Sequence, residues 1–315
     1  MPLHSADITI IVPTFNRADF LARLLGYYAR NKFQGRILIG DASNDEQAAL
    51  VRKEAERYRD SLNIEHHRFP GENIAQTVFK LNGFIRTPFA ALAGDDDLLL
   101  VEGLRRCADF LKDHPHYAAA NGKGCLVVVK GSKVYGDIQD LDDYPLKGVE
   151  AGDPATRLED FLKDYSVALF SVFRTEIWRR MWADPGGIKD VDFAAELVPN
   201  CVGVISGKIK HLNVLYLIRQ AHERRYVLPD AYDWVTSPQW QEGYRFFKAR
   251  VREALAAQGM DEGKAGASIK AAFAQYLQRR IARKKVPVRK RVKQAIRRKF
   301  NLVRFRSVRQ LVTNI

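Results

Sequence analysis

Over about the first 120 residues, short apolar runs alternate four times with stretches of helical period, and few architectures accept that pattern. "DITIIVP" is a run of β-branched residues stopped by Pro13, and Leu21, Leu24, Leu25 and Tyr28 follow at helical spacing. "RILIGDAS" reads as a second strand, followed by a charged helical stretch around 45–59. "NIEHHRF" reads as a third. Asn73 then stands as an N-cap before a helix whose one face carries Ile74, Val78, Leu81 and Ile85. "PFAALA" is the fourth strand, and Leu104, Cys107, Ala108 and Leu111 continue as a helix. Repeated strand–helix units imply right-handed crossovers onto a mostly parallel sheet with flanking helices, an α/β fold.

Such sheets bind ligands beyond the carboxyl ends of their strands. Three of these ends are polar: Thr14-Phe15-Asn16-Arg17, Asp41-Ala42-Ser43 and Asp95-Asp96-Asp97. The last is the most demanding. "FAALAGDDDLLL" sets three carboxylates side by side between apolar runs, and like charges need compensation there, either from solvent at a helix-capping turn or from a divalent cation. The first strand is not followed by G-x-G-x-x-G or a P-loop, which removes the usual support for dinucleotide or P-loop phosphate binding.

Beyond residue 120 "GCLVVVK" and "SKVYG" suggest a small hairpin, followed by a polar, aspartate-rich loop at about 137–154. "VDFAAELVPNCVGVIS" reads as a helix despite Pro199, leading through Gly207 into the strand "KIKHLNVLYLIR", and from about 237 the chain reads as mostly helical. His66 and His67 read as strand residues without function. Trp178, Trp182, Trp234 and Trp240 read mainly as core, with an acceptor-stacking role open to one of them. The N-terminus lacks a basic region followed by an apolar core, no apolar run reaches the length of a membrane span, and three scattered cysteines fit neither a disulfide framework nor a zinc site. A reducing cytoplasm is the expected compartment.

In order and spacing, "ITIIVPTFNRADFLARLL", "ILIGDASND" and "AGDDDLL" resemble the family-2 glycosyltransferases of GT-A fold, over roughly residues 7–225 and most closely over 7–112. The likeness is greatest to bacterial members with a triple aspartate. It implies a nucleotide-binding half (1–120) and an acceptor half (121–225), with a helical region (226–315) beyond. It also implies a nucleotide-sugar donor, a UDP-sugar, bound with Mn2+ or Mg2+, because a diphosphate leaves readily only when its developing charge is met. By the match, Pro13 and Thr14 line the base pocket and Asp41 accepts the base N–H. Arg17 neighbours the diphosphate, Asp95 faces the ribose, and Asp96 holds the metal with Asp97 as an alternate ligand. His222, closing "LIRQAH", approaches the metal or diphosphate. Counting back from that strand puts Glu196 where the family carries its catalytic base, with Ala195 in place of the usual preceding acid and with Asp190 and Asp192 as rivals. For Asp41 the competing reading is an N-cap. The absence of Q-x-x-R-W and of flanking membrane helices points to single transfer onto a glycan or lipid-linked acceptor. Two other classes remain in view: a metal-dependent nucleotidyl or phosphoryl transferase, and a non-catalytic protein of the same fold.

The net charge of +14 is carried by the C-terminus. Residues 263–315 hold 17 Lys and Arg and no acid, leaving 34 basic and 37 acidic residues before them. Val288, Val292, Ile296, Phe300 and Val303 share helical spacing after Pro287. A basic amphipathic segment within 264–315 is expected to bind an anionic membrane surface, making the protein peripheral on the inner face of the plasma membrane. Nucleic acid is the less favoured partner, because aromatics are sparse there and no nucleic-acid module is recognisable.

Overall fold

The computed structural model describes residues 5–282. The strands are β1 (Ile8–Thr14), β2 (Arg36–Asp41), β3 (Asn63–Arg68), β4 (Phe89–Leu92), β5 (Leu98–Leu99), β6 (Tyr117–Val129), β7 (Ile138–Tyr144), β8 (Val172–Arg174) and β9 (Lys208–Ala221). The helices are α1 (Ala18–Arg30), α2 (Asp45–Arg57), α3 (Ile74–Leu81), α4 (Val101–Asp113), α5 (Pro154–Lys163), α6 (Thr175–Met181), α7 (Val198–Ser206), α8 (Ala231–Val235), α9 (Trp240–Ala256) and α10 (Glu262–Ala282). A π-helical turn, Asp192–Leu197, precedes α7.

All nine strands form one sheet in the order β3-β2-β1-β4-β8-β6-β9-β5, with β7 paired to β6. The pairs β3-β2, β2-β1 and β1-β4 are parallel, as is β6-β9, while β8, β5 and β7 join antiparallel. The four strands expected in the first half are therefore parallel to one another, each joined to the next by a helix. β1 is nearly continuous in apolar residues because both its faces are covered. Ile10 and Val12 pack with Leu21 and Leu24 of α1 and Leu104 of α4, while Ile11 faces Val78 of α3 and the α5–α7 side.

Gly40 of β2 lets α3 approach, since a Cβ there would lie 2.4 Å from Thr77 Cγ2. Asn73 caps α3 with a full capping box, its side chain accepting from Gln76 N–H while the Gln76 side chain accepts from Asn73 N–H.

Two expectations change. α3 stops at Leu81 and a 3-10 turn follows, so Ile85 is buried from outside the helix while Ile74 is 38% exposed. The partner of β6 is the aspartate-rich Ile138–Tyr144 and not "SKVYG", which lies in the connection, because alternate residues of 138–144 can face solvent on an edge strand. The helices after residue 226 share the core of the sheet domain: Phe247, Val251, Phe273 and Tyr276 pack in one cluster with Phe193, Leu158 and Val204. The expected amphipathic helix after Pro287 lies outside the described residues. Among the described residues no helix is long and apolar enough to cross a membrane.

Candidate functional site

The register Thr14↔Asp41 brings the carboxyl ends of β1 and β2 level, and Ala93 N–H bonds Ile11 C=O (3.0 Å) to bring the end of β4 beside them. Here Asn16 turns the chain off β1 with φ 53°, a conformation asparagine tolerates better than most residues. Its backbone N–H donates to Ser43 Oγ (2.8 Å), and its side-chain oxygen accepts from Asn44 N–H (3.0 Å). The next residue, Arg17, consequently points across the sheet end into the aspartates. β5 pairs with β9 at Leu98↔Ile218, which delivers Arg219, Gln220 and His222 to the same place.

The three aspartates diverge. Asp95 is fully buried. Its Oδ2 accepts from Thr14 Oγ1 (2.7 Å) and its Oδ1 lies 2.7 Å from Arg17 Nη2. Burial pushes its pKa up to about 7 against the pull of Arg17. Asp97 is also buried. Gln220 N–H donates to Oδ1 (3.1 Å), Arg219 Nε stands 3.6 Å from Oδ2, and burial with neighbouring Asp96 pushes it to about 7. Asp96 faces the cleft, and its Oδ2 receives both Arg17 Nη1 (2.8 Å) and His222 Nε2 (2.9 Å). Burial works to raise its pKa, but the His222 bond and Arg17 outweigh it and hold the carboxyl low.

A further cation, Arg23, is 5% exposed beneath the turn. It donates to the backbone oxygen of Asp96 (2.6 Å), to Val134 C=O (3.3 Å) and to Gln220 Oε1. In this structure Arg17, Arg23 and Arg219 bring positive charge to the three aspartates, and His222 adds a hydrogen bond to Asp96.

Asp41 is fully buried behind Ala42 and outside the cleft wall, accepting from Ser43 N–H (2.9 Å) and bonding His66 Nε2 (3.0 Å). Burial would raise its pKa, yet His66 and Ser43 bring it below the ordinary value. It caps no helix: Asn44 caps α2, accepting from Gln47 N–H (2.9 Å). His66, read as functionless, is its partner.

One cleft of about 1170 Å3 runs from Pro13, Thr14, Phe15, Arg17 and Asn73, past Asp96 and Asp97, to Glu196, Tyr276 and Arg280. Glu196 sits on the π-helical turn, where Pro199 lacks the N–H of a regular helix. Its carboxylate accepts from Tyr165 O–H (2.8 Å), itself held by Asn200 Nδ2 (3.1 Å), and burial raises its pKa beyond what Tyr165 and Arg219 offset. The rivals are engaged elsewhere. Asp190 accepts from Phe193 N–H (3.0 Å) and Trp234 Nε1 (3.0 Å), and Asp192 accepts from Arg280 Nη2 (2.8 Å). None of the four tryptophans lines the cleft; Phe15, 61% exposed at its rim, does.

Among the described residues no three His, Cys, Asp or Glu side chains converge as a ready-made cation cage. Asp96 fits a hard cation shared with a diphosphate, which is how Mg2+-type sites often complete their oxygen shell. Asp97 is more enclosed, with Oδ1 accepting from Gln220 N–H and Oδ2 3.6 Å from Arg219 Nε. His222 Nδ1 accepts from Arg224 N–H (3.2 Å), so the neutral ring carries its proton on Nε2 and donates to Asp96. Its lone pair faces the cation position only after that proton moves.

No known family model matches the chain, and no curated protein matches it. Among solved structures it is similar to residues 1–349 of S. aureus TarS, at a TM-score of 0.55 and 16% identity, covering 88% of this chain and 72% of that one. It is likewise similar to TarS 1–349 in complex with UDP, at 0.54 and 17%, covering 90% and 77%. The architecture is the α/β fold of GT-A glycosyltransferases.

Proposed function

We propose that the protein is a glycosyltransferase that takes a nucleotide-sugar at the Pro13–Arg17 end of the cleft and an acceptor hydroxyl at the Glu196 end. The observation that carries this is the single cleft lined by both Asp96 and Glu196 at the carboxyl edge of the sheet. Pro13, Thr14 and the exposed ring of Phe15 wall the base end. Asp41, behind Ala42, accepts the base N–H once it gives up His66 and turns toward the cleft, a pairing that favours uracil; UDP in the TarS complex supports that choice. Asp95, behind Thr14, steers the ribose end.

Glu196, ionised and held by Tyr165, takes the proton from the acceptor hydroxyl as that oxygen attacks the anomeric carbon from the face opposite the diphosphate, inverting it. Asp96, with His222 after its proton shift, would hold Mn2+ or Mg2+, which neutralises charge on the leaving diphosphate. Transfer is single, onto a glycan or lipid-linked acceptor. The basic residues that follow α10 at Ala282 recruit the protein to an anionic inner-membrane surface.

Calorimetric titration of UDP, GDP and CDP with and without Mn2+ tests the donor site. UDP binding that strengthens with Mn2+ and is lost in Asp96→Asn is the expected result; no nucleotide binding overturns the reading. Release of UDP separates it from a nucleotidyl transferase, which releases pyrophosphate. Deleting 283–315 should abolish sedimentation with phosphatidylglycerol vesicles while leaving UDP affinity unchanged. Sedimentation that survives the deletion moves the membrane contact elsewhere.

A further inference from the structure

Arg17 is paired with the carboxylate that a cation at Asp96 would use. Asp96 lines the cleft, and its Oδ2 is the oxygen that Arg17 and His222 share. That oxygen already accepts from Arg17 Nη1 at 2.8 Å and from His222 Nε2 at 2.9 Å. A divalent cation binds carboxylate oxygen at about 2.0–2.1 Å, and a guanidinium already paired with the same carboxylate opposes it by charge.

Arg17 cannot leave without cost, because its other arm, Nη2, lies 2.7 Å from Asp95 Oδ1, a carboxylate with no access to water. Three other arginines near the aspartates are engaged elsewhere. Arg23 grips the backbone oxygen of Asp96, Arg219 faces Asp97, and Arg224 is held by Asp19 Oδ2 (2.8 Å) and Asn16 C=O (2.8 Å).

We infer that Arg17 is the resident counter-cation of the donor site and makes divalent-cation binding wait for the nucleotide diphosphate; this rests on reading the cleft as a nucleotide-sugar site. A diphosphate offers a guanidinium a stronger, bidentate partner than one shared carboxylate oxygen. When it arrives, Nη1 exchanges Asp96 for phosphate oxygen while Nη2 stays on Asp95, and Asp96 Oδ2 is released to the cation. Arg17 lines the cleft and is 21% exposed at its side chain, so this exchange needs only a side-chain rotation. Asn16, fixed at φ 53° by the end of β2, keeps the pivot in place. Nucleotide and cation therefore bind with positive coupling, and Arg17 is the residue that creates it.

The test is calorimetry of MnCl2 alone, of UDP alone and of each in the presence of the other, on the wild-type chain and on Arg17→Gln. The wild type should bind Mn2+ weakly alone and about tenfold or more tightly with UDP, within the usual range of coupling between sites. Arg17→Gln should bind Mn2+ alone about fivefold or more tightly than wild type, with most of the coupling gone. Unchanged or weakened Mn2+ affinity in Arg17→Gln, with the wild type still coupled, overturns the inference and leaves the donor site standing. A wild type that binds no UDP under any condition overturns the donor-site reading itself. Should Arg17→Gln fail to fold with Asp95 stranded, the double variant Arg17→Gln/Asp95→Asn removes the unpaired buried charge and carries the same expectation for Mn2+ alone.

Discussion

Glu196 shows how little separates a surface acid from a candidate base. Three carboxylates within seven residues, Asp190, Asp192 and Glu196, look interchangeable in sequence, and only their partners sort them. Asp190 caps a turn, Asp192 is neutralised by Arg280, and Glu196 keeps a carboxylate open to the cleft with one tyrosine donor. Glu196→Gln should lower transfer by about 10²–10⁴-fold with UDP affinity unchanged. A comparable loss in Asp190→Asn but not in Glu196→Gln would reassign the base. Tyr165 O–H stabilises the ionised carboxylate against the burial that raises its pKa. In Tyr165→Phe the pKa climbs further, and the acid limb of the pH–rate profile should move to higher pH. A limb that stays put separates Glu196 from that titration. Arg23 was missed for a different reason. It sits among Leu21, Leu24 and Leu25 on the apolar stripe of α1, and an arginine in that register was the available sign of a buried partner.

At the scale of elements, the site depends on where strands stop and what turns them. The strands β1, β2 and β4 and the helices between them were legible from periodicity, because a strand buried on both faces reads as an unbroken apolar run. The shift of the β6 partner from "SKVYG" to Ile138–Tyr144 was not, because an edge strand needs no apolar face and its aspartates look like loop. α3 tests this scale directly. Its capping box satisfies the first orphan N–H groups, and Asn73 also lines the cleft. Asn73→Ala should cost about 1 kcal/mol of stability in chemical denaturation, as N-cap losses do. An unchanged unfolding midpoint would show that packing of Val78 and Leu81 alone sets the helix. The juxtaposition of Asp96 with His222 is likewise an effect of elements, created by the two-residue pairing of β5 with β9.

For the whole molecule, burying acids at the sheet edge has a pH signature. The folded pKa values of Asp95 and Asp97, pushed to about 7, exceed those of an unfolded chain. The folded state therefore binds more protons than the unfolded between roughly pH 4 and 7, and stability falls as pH rises through that window. Asp192 and Glu196, also raised, act in the same direction, while Asp41 and Asp96 are lowered and act at more acid pH. The melting temperature of the nucleotide-free protein should fall between pH 5 and pH 8, and Asp95→Asn should flatten that slope. A melting temperature that rises over the same range would show these carboxylates to be ionised throughout.

Local and periodic features could be read along the chain: the order of strands and helices, the three polar strand ends, the capped start of α3, and the positive charge gathered after residue 262. These follow from one residue and its near neighbours, because side-chain period and turn chemistry act over a few residues. Which charges meet is a property of the folded chain. Arg17 reaches Asp96 across 79 residues and His222 reaches it across 126, while Arg23 and Gln220 join the same network from opposite ends of the fold. Electrostatic compensation is set by distance in space and by burial, and neither is carried in the spacing of residues along the chain.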